Sequence, residues 1–410
     1  MKTLLISDIF PPKTGGSGRW FWEIYRRLQS ESIAIAAGVA ENAHVFDRGH
    51  DLRIHRVPLE MRSRALRSLA GLRGYWRGFR RLWPLVRREK IVRCHAARCL
   101  PEGFMALLLK RFAGPSYICY AHGEELGTAS TSRELTWLTR RVLAGCEFVV
   151  ANSQNTRRIL LEEWGFPGER VHVLHPGVDT QRFCPAARDD RMRERLGWGA
   201  RTVILTVGRL QKRKGHDMLI RALAKVRETV PDILYAIVGD GEEREILEHL
   251  AEQEGMSDHV LFLGEVDENS LVSCYQQCDV FVLPNRAIGR DIEGFGMVLL
   301  EAQACGKPVI AGASGGTAET MSIPHSGFVV PCDVPDALAE NLSELLADRD
   351  RIERMGEAAR KWVSENFDWT ALSRQAAQLL EIPLRVSAGE PDEVTDEKTV
   401  VECRKGTYVV

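Results

Sequence analysis

Short apolar runs alternate with amphipathic segments along almost the whole chain. That rhythm constrains the fold more than any other feature, because it asks for strands covered on both faces by helices, that is, βαβ units around parallel sheets. The runs predicted as strands are 3–6, 33–37, 117–120, 148–151 and 171–174, then 203–207, 234–238, 260–263, 280–283, 309–311 and 327–329. They fall into two sets. Between them, Pro176-Gly177-Val178-Asp179, Phe183-Cys184-Pro185 and a charged stretch ending near Trp198 read as a linker. The expected organisation is therefore an N-terminal doubly wound domain over residues 1–180 and a second over 181–365. A helix over 366–384 follows, with a buried face of Trp369, Leu372, Ala376 and Leu379, and then a charged, flexible tail over 385–410 whose Tyr408-Val409-Val410 could pair as an edge.

Charge excludes some partners. With 55 Lys+Arg against 56 Asp+Glu the net charge is -1, so the chain is neither a basic nucleic-acid coat nor an acidic disordered solvator, and an anionic partner must be read by a local patch. No run of 18 apolar residues occurs and Met1-Lys2 leads straight into a strand, so the expected location is cytoplasmic. The ten cysteines form no C-x-x-C pair and are expected to be unpaired structural thiols, not metal ligands.

Three stretches carry chemistry. Gly15-Gly16-Ser17-Gly18 follows the first strand and precedes an aromatic helical segment, so that close backbone approach and helix amides can meet a phosphate. Strand 203–207 runs into Gly208-Arg209-Leu210 and then Lys214-Gly215, two cations at the end of a parallel strand where open α/β sheets bind ligands. Glu293 and Glu301 stand eight residues apart in Glu293-Gly294-Phe295-Gly296-Met297-Val298-Leu299-Leu300-Glu301, Glu293 in a loop and Glu301 inside the following helix. Carboxylates accept hydrogen bonds from vicinal hydroxyls, so the pair can grip two sugars, while the amides of Gly294, Phe295 and Gly296 can receive a phosphate.

Taken in this order, and with Gly306-Lys307-Pro308-Val309-Ile310 after them, these motifs resemble the retaining nucleotide-sugar glycosyltransferases of family GT4, with the GT-B fold. The resemblance covers residues 1–382 and is densest over 201–330. The segment 290–320 is similar to the phosphatidylinositol mannosyltransferase subgroup and to bacterial relatives acting on lipid or polysaccharide acceptors. It implies two Rossmann-like domains facing a central cleft, the last helix crossing back to the first domain. Arg209 and Lys214 would then clamp the donor diphosphate, and Glu301 would bind the nucleotide ribose. Glu293, with the amides of Gly294, Phe295 and Gly296, would hold the donor sugar and its phosphate; two routes stay open, a same-face one in which the departing phosphate takes the acceptor proton and one with Glu293 as transient nucleophile. His122 would lie beside the transferred sugar, Gly15 and Gly16 beside the donor phosphate, and the base in the loop Gly264 to Val266.

No metal or other cofactor is expected, on the reading that the chain holds no Asp-x-Asp anywhere and that fixed cations can stabilise the leaving diphosphate. The partners implied are a GDP- or UDP-linked hexose and a lipid-linked, glycan or small-molecule acceptor. Rival readings are a sugar-nucleotide epimerase of the same fold and a catalytically silent scaffold, against which the intact Arg209, Lys214, Glu293 and Glu301 speak.

One segment is set apart by charge. Residues 62–93 hold ten Arg and one Lys against Glu89 alone, with Leu69, Leu72, Trp76, Phe79, Trp83 and Val86 spaced as one stripe of a helix interrupted at Pro84. Two readings stay open: a core-facing stripe with a solvated arginine face, or attachment to an anionic membrane surface, which would place the protein at the inner face of the cell membrane. No base-reading motif accompanies the charge, so nucleic acid is not expected.

Overall fold

Thirteen strands form two all-parallel sheets in the computed structural model, which describes residues 2–385 except Thr14 and Arg62. The tail expected from 385 onward, with Tyr408-Val409-Val410, lies outside the described residues from 386. The first sheet holds β1 (Thr3–Ser7), β2 (Ile33–Ala37), β3 (Arg53–Arg56), β4 (Arg93–Ala96), β5 (Ser116–Ala121), β6 (Val149–Ala151) and β7 (Val171–Val173), in the order β3-β2-β1-β4-β5-β6-β7. The second holds β8 (Thr202–Val207), β9 (Ile233–Val238), β10 (Val260–Gly264), β11 (Val280–Leu283), β12 (Val309–Gly312) and β13 (Gly327–Val330), in the order β10-β9-β8-β11-β12-β13. Strand order reverses between β1 and β4 in one sheet and between β8 and β11 in the other. Such switch points open a crevice at the carboxyl ends of the strands.

Two of these strands are absent from the expectation. In β3 the sequence Arg-Ile-His-Arg is an edge strand with exposed Arg53, and β4 reads Arg-Cys-His-Ala, so neither forms an apolar run. Their pairing comes from the neighbours: Ala34 to Ala37 draw in β3, and Thr3 to Ile6 draw in β4.

Contacts divide the described chain into a first unit of 2–152, 157–174 and 369–385 and a second of 153–156 and 175–368. In the second, alternate residues serve opposite faces of the sheet. Val203, Leu205, Leu234, Ala236, Phe281 and Leu283 join one core, while Ile204, Ile233, Tyr235, Ile237, Val280 and Val282 join the other. The stretch expected as a linker is packed instead: Phe183 and Trp198 are fully buried in the first of these cores. Arg193, 1% exposed, donates to the carbonyls of Gly199, Gln277 and Arg201.

The last described helix, Trp369–Leu380, belongs to the first unit, where it packs on helix Gly16–Tyr25. Its buried face is Trp369, Leu372, Ser373, Ala376 and Leu380, so Leu380 takes the place expected for Leu379. Gln29 N donates to Pro383 O at 2.9 Å and Arg385 N to Arg27 O at 2.9 Å, which ties residues 383–385 to the segment after helix Gly16–Tyr25. Among the described residues, eight cysteines are buried free thiols, as expected.

The basic segment, with two readings open, was expected to break at Pro84. It forms one helix, Leu69–Arg88, that runs through Pro84, and its buried face is Gly71, Tyr75, Gly78, Leu82, Leu85 and Val86. Of the two open readings, the core-facing stripe is not what forms in the first half of the helix: Leu69 is 71%, Leu72 53% and Trp76 58% exposed. Small residues set this rotation: a Cβ on Gly71 would lie 1.9 Å from Ala65 O, and one on Gly78 2.7 Å from Met105 Sδ. Close approach therefore brings the glycine side of the helix against the core, and the larger aromatic stripe turns outward.

Candidate active site

The loops after β8 and β11 meet at the switch point of the second sheet. Gly215 sits at φ +73° with its missing Cβ only 1.8 Å from Pro284 O, so any side chain there would part the two loops. Arg286 N donates to Arg213 O at 2.8 Å, and the Arg286 guanidinium forks onto Asp217 at 2.9 and 2.8 Å. The turn Lys212–Lys214 is thereby held against the segment that carries Glu293.

Lys214 and Glu293, read from separate motifs, meet directly. Lys214 Nζ donates to Glu293 Oε2 at 2.6 Å, and Arg213 Nη1 donates to the same oxygen at 2.6 Å. Burial pushes the Glu293 carboxyl up, yet the Lys214 and Arg213 charges outweigh it and hold the pKa below the usual carboxylate value. Arg213 also lies 3.4 Å from Asp291. Nothing in the letters marked Arg213 for a role; its only signal was its place in Lys212-Arg213-Lys214. Arg209 follows β8 on the same loop but is exposed, and its side chain makes no ion pair among the described residues.

Gly294, Phe295 and Gly296 lie in the loop, since the helix starts only at Met297 and Gly296, at φ +95°, caps it. Phe295 is buried and stacks on His175 with ring centroids 5.3 Å apart. Glu301 lies within helix Met297–Ala304, 4% exposed, and its Oε2 accepts from Tyr275 Oη at 2.7 Å. Val266 follows β10 and is half-buried against the second unit's core; the same loop begins at Gly264, whose carbonyl accepts from Gly239 N at 2.8 Å. The expected absence of Asp-x-Asp from the chain is wrong. Asp348-Arg349-Asp350 is one, and Asp348 there caps helix Arg349–Asn366 by accepting from Arg351 N at 2.9 Å.

In the first unit, Gly15 caps and Gly16 opens helix Gly16–Tyr25, and Arg98 Nη2 donates to Ser17 Oγ at 3.2 Å. His122 follows β5 and is 7% exposed. Its Nε2 donates to Ala97 O at 2.9 Å, its backbone N donates to Glu125 Oε1 at 2.9 Å, and its carbonyl accepts from Asn152 Nδ2 at 3.2 Å. Burial, helped by the Arg98 charge, lowers the His122 pKa to about 4, so the ring is neutral near pH 7. Burial likewise raises the carboxyls of Glu125 and of Glu102, which accepts from Asp8 N at 3.1 Å. Arg98, Glu102 and Glu125 escaped the sequence reading because none stands in a glycine-rich motif. In the second unit, Ser153 Oγ accepts from Thr156 N at 3.1 Å and caps helix Gln154–Glu162.

Two family descriptions match the chain: "Glycosyltransferase Family 4" over residues 14–182 and "Glycosyl transferases group 1" over 189–362. A GDP-mannose-dependent alpha-(1-6)-phosphatidylinositol monomannoside mannosyltransferase of Mycolicibacterium smegmatis is 34% identical, the match spanning 92% of this chain and 97% of that one. A GDP-mannose-dependent monoacylated alpha-(1-6)-phosphatidylinositol monomannoside mannosyltransferase of Corynebacterium glutamicum is 33% identical over 93% and 98%. Among solved structures, Anabaena HepE in complex with UDP superposes with a TM-score of 0.78 at 21% identity, covering 93% of this chain and all (100%) of that one, a likeness of fold. With both halves matched by these descriptions, relatives similar along nearly their full length, and two parallel-sheet units of the GT-B kind, the chain belongs to glycosyltransferase family 4 and is a glycosyltransferase.

Proposed function

We propose that the chain moves a hexose, mannose in the first instance, from a GDP- or UDP-linked donor to a hydroxyl of a lipid-linked polyol, with retention and without a metal ion. The observation that carries this reading is the cluster in which Lys214 and Arg213 share one oxygen of Glu293 beside the Gly294-to-Gly296 amides. The names of the mycobacterial and corynebacterial relatives support mannose, GDP and a lipid acceptor.

In this reaction the bond between the sugar C1 and the diphosphate oxygen breaks, and its electron pair leaves with the diphosphate. The acceptor oxygen bonds to C1 on the same face, and the acceptor proton passes to the departing phosphate oxygen. Lys214 turns from Glu293 to the diphosphate, joined by Arg209 and the loop amides, so that the developing charge meets fixed donors that need little reorganisation. Arg213 keeps Glu293 compensated, and the carboxylate is then available to a donor-sugar hydroxyl. Glu301 takes the ribose and the Gly264-to-Val266 loop the base.

Turnover with extracted lipid tests this. GDP-mannose and, in parallel, UDP-glucose are supplied, released nucleoside diphosphate is measured, and the anomeric configuration of the product is read by NMR. Lipid-dependent release, an α-linked product from an α-linked donor and activity retained in EDTA are expected. Inverted product, or complete loss in EDTA restored by magnesium, overturns the metal-free retaining route.

A second component is favoured by the exposed Leu69, Leu72 and Trp76 on a helix rich in arginine: peripheral attachment to an anionic membrane surface at the cytoplasmic face. No helix among the described residues is long and apolar enough to cross a membrane. Sedimentation with vesicles should require anionic lipid and weaken with salt. Equal binding to neutral vesicles removes this component.

A further inference from the structure

We infer that Tyr275 is a positioning residue for recognition of the donor ribose, acting through Glu301. This rests on the donor reading above and adds to it a group that lies outside every motif.

Glu301 is a carboxylate inside a helix, 4% exposed, with the apolar Leu299, Leu300, Ala302 and Ala304 around it in sequence and equally buried. A carboxyl in such surroundings is tolerated where hydrogen bonds satisfy it. Tyr275, on the adjacent helix Glu268–Gln277, donates its hydroxyl to Glu301 Oε2 at 2.7 Å and is itself 0% exposed. The phenol ring cannot wander: Phe183 and Phe281 lie against it with ring centroids 5.7 and 5.6 Å away. The hydroxyl is therefore a fixed point.

That matters because the terminal torsion of a glutamate is soft and its carboxylate plane turns easily. A pair of vicinal ribose hydroxyls needs that plane in one orientation. Tyr275 occupies one of the roughly four lone-pair sites of the carboxylate and so selects the orientation of the others. The geometry gives Tyr275 no direct part in the chemistry, and its hydroxyl can be removed without disturbing the ring packing.

Tyr275→Phe is accordingly the test, read by calorimetry with GDP and 2′,3′-dideoxy-GDP, and with the UDP pair in parallel. Wild type should prefer the ribose form by about tenfold, the value of one well-placed hydrogen-bonded pair at about 1.4 kcal/mol. In Tyr275→Phe the affinity for GDP should fall about tenfold and that for the dideoxy form should stay, so the preference collapses to within about twofold. A merely structural loss would weaken both nucleotides alike and keep their ratio. An unchanged ratio, or a wild type indifferent to the ribose hydroxyls, overturns the inference while nucleotide binding stands. A wild type that binds neither GDP nor UDP is a separate failure, that of the donor reading itself.

Discussion

At the carboxyl edge of the first sheet, burial decides the charge state of His122, Glu102 and Glu125: the imidazole is pushed down to about 4 and both carboxyls are pushed up. At the edge of the second sheet Glu293 is equally sequestered, yet two cations at 2.6 Å reverse the outcome and hold it ionised. The two edges come from the same strand-loop-helix pattern, so the difference lies in whether a buried group has a counter-charge within hydrogen-bond reach. A diphosphate needs fixed cations, and a sugar beside a cationic C1 needs neutral polar groups. The second unit's strand edge holds paired cations, and the first unit's holds buried groups without a counter-charge.

The largest effect should come from deleting a charge at the second edge. Lys214→Ala is expected to lower kcat by about 100-fold, the scale of removing one preorganised donor to a developing anion, with steady-state turnover of GDP-mannose as the measurement. Activity within twofold of wild type would mean that the ion pair with Glu293 is structural only.

Isosteric amides sharpen the contrast. Glu293→Gln removes the carboxylate that compensates Lys214 and Arg213 and should cost about 30-fold, near 2 kcal/mol. Glu125→Gln keeps an oxygen to accept from His122 N at a place where burial already opposes charge, so it should change kcat/KM by less than about threefold. Similar losses in the two variants would erase the distinction between the edges.

How much of this was legible depended on where the physics sits. The strands of the second sheet could be read because both faces are buried, which makes each an unbroken apolar run. Arg53–Arg56 and Arg93–Ala96 could not, because partners and not side chains make them strands. Lys214, Glu293 and Glu301 were legible as motif letters. Their contacts were not: Lys214 and Glu293 are 79 residues apart, and Tyr275 and Glu301 are 26 apart. The helix Leu69–Arg88 was legible only as two alternatives, because periodicity marks an apolar stripe without saying what covers it; in the structure Gly71 and Gly78 lie on the buried face.

The neutrality of the first edge has a pH signature. The unfolded chain has an ordinary histidine value near 6.5, whereas folded His122 stays neutral down to about 4. Between those values the unfolded state binds the extra proton, so stability rises with pH across the window and is lost as pH falls from about 6.5 toward about 4. From pH 7 to pH 5.5 one such histidine should remove about 1 kcal/mol of stability. Buried His95 and His216, lowered to about 3 and about 4, act in the same direction. His122→Gln should therefore shrink, without abolishing, the drop in urea-unfolding free energy between these two pH values. An unchanged drop would show that His122 is not buried neutral.

The smallest effect tests whether placement, and not charge, separates the regions. Arg77 and Arg80 lie exposed on helix Leu69–Arg88, and each carries the same unit charge as Lys214. With no fixed counter-ion and full hydration, such charges contribute little to stability or to a distant barrier. Arg77→Ala with Arg80→Ala should leave unfolding free energy within about 0.5 kcal/mol and, with a soluble acceptor analogue in the absence of membrane, leave kcat/KM within about twofold. If that double variant slowed soluble turnover as Lys214→Ala does, long-range field and not the Lys214-Glu293 contact would have to carry catalysis, and the two edges would differ only in the net charge around them.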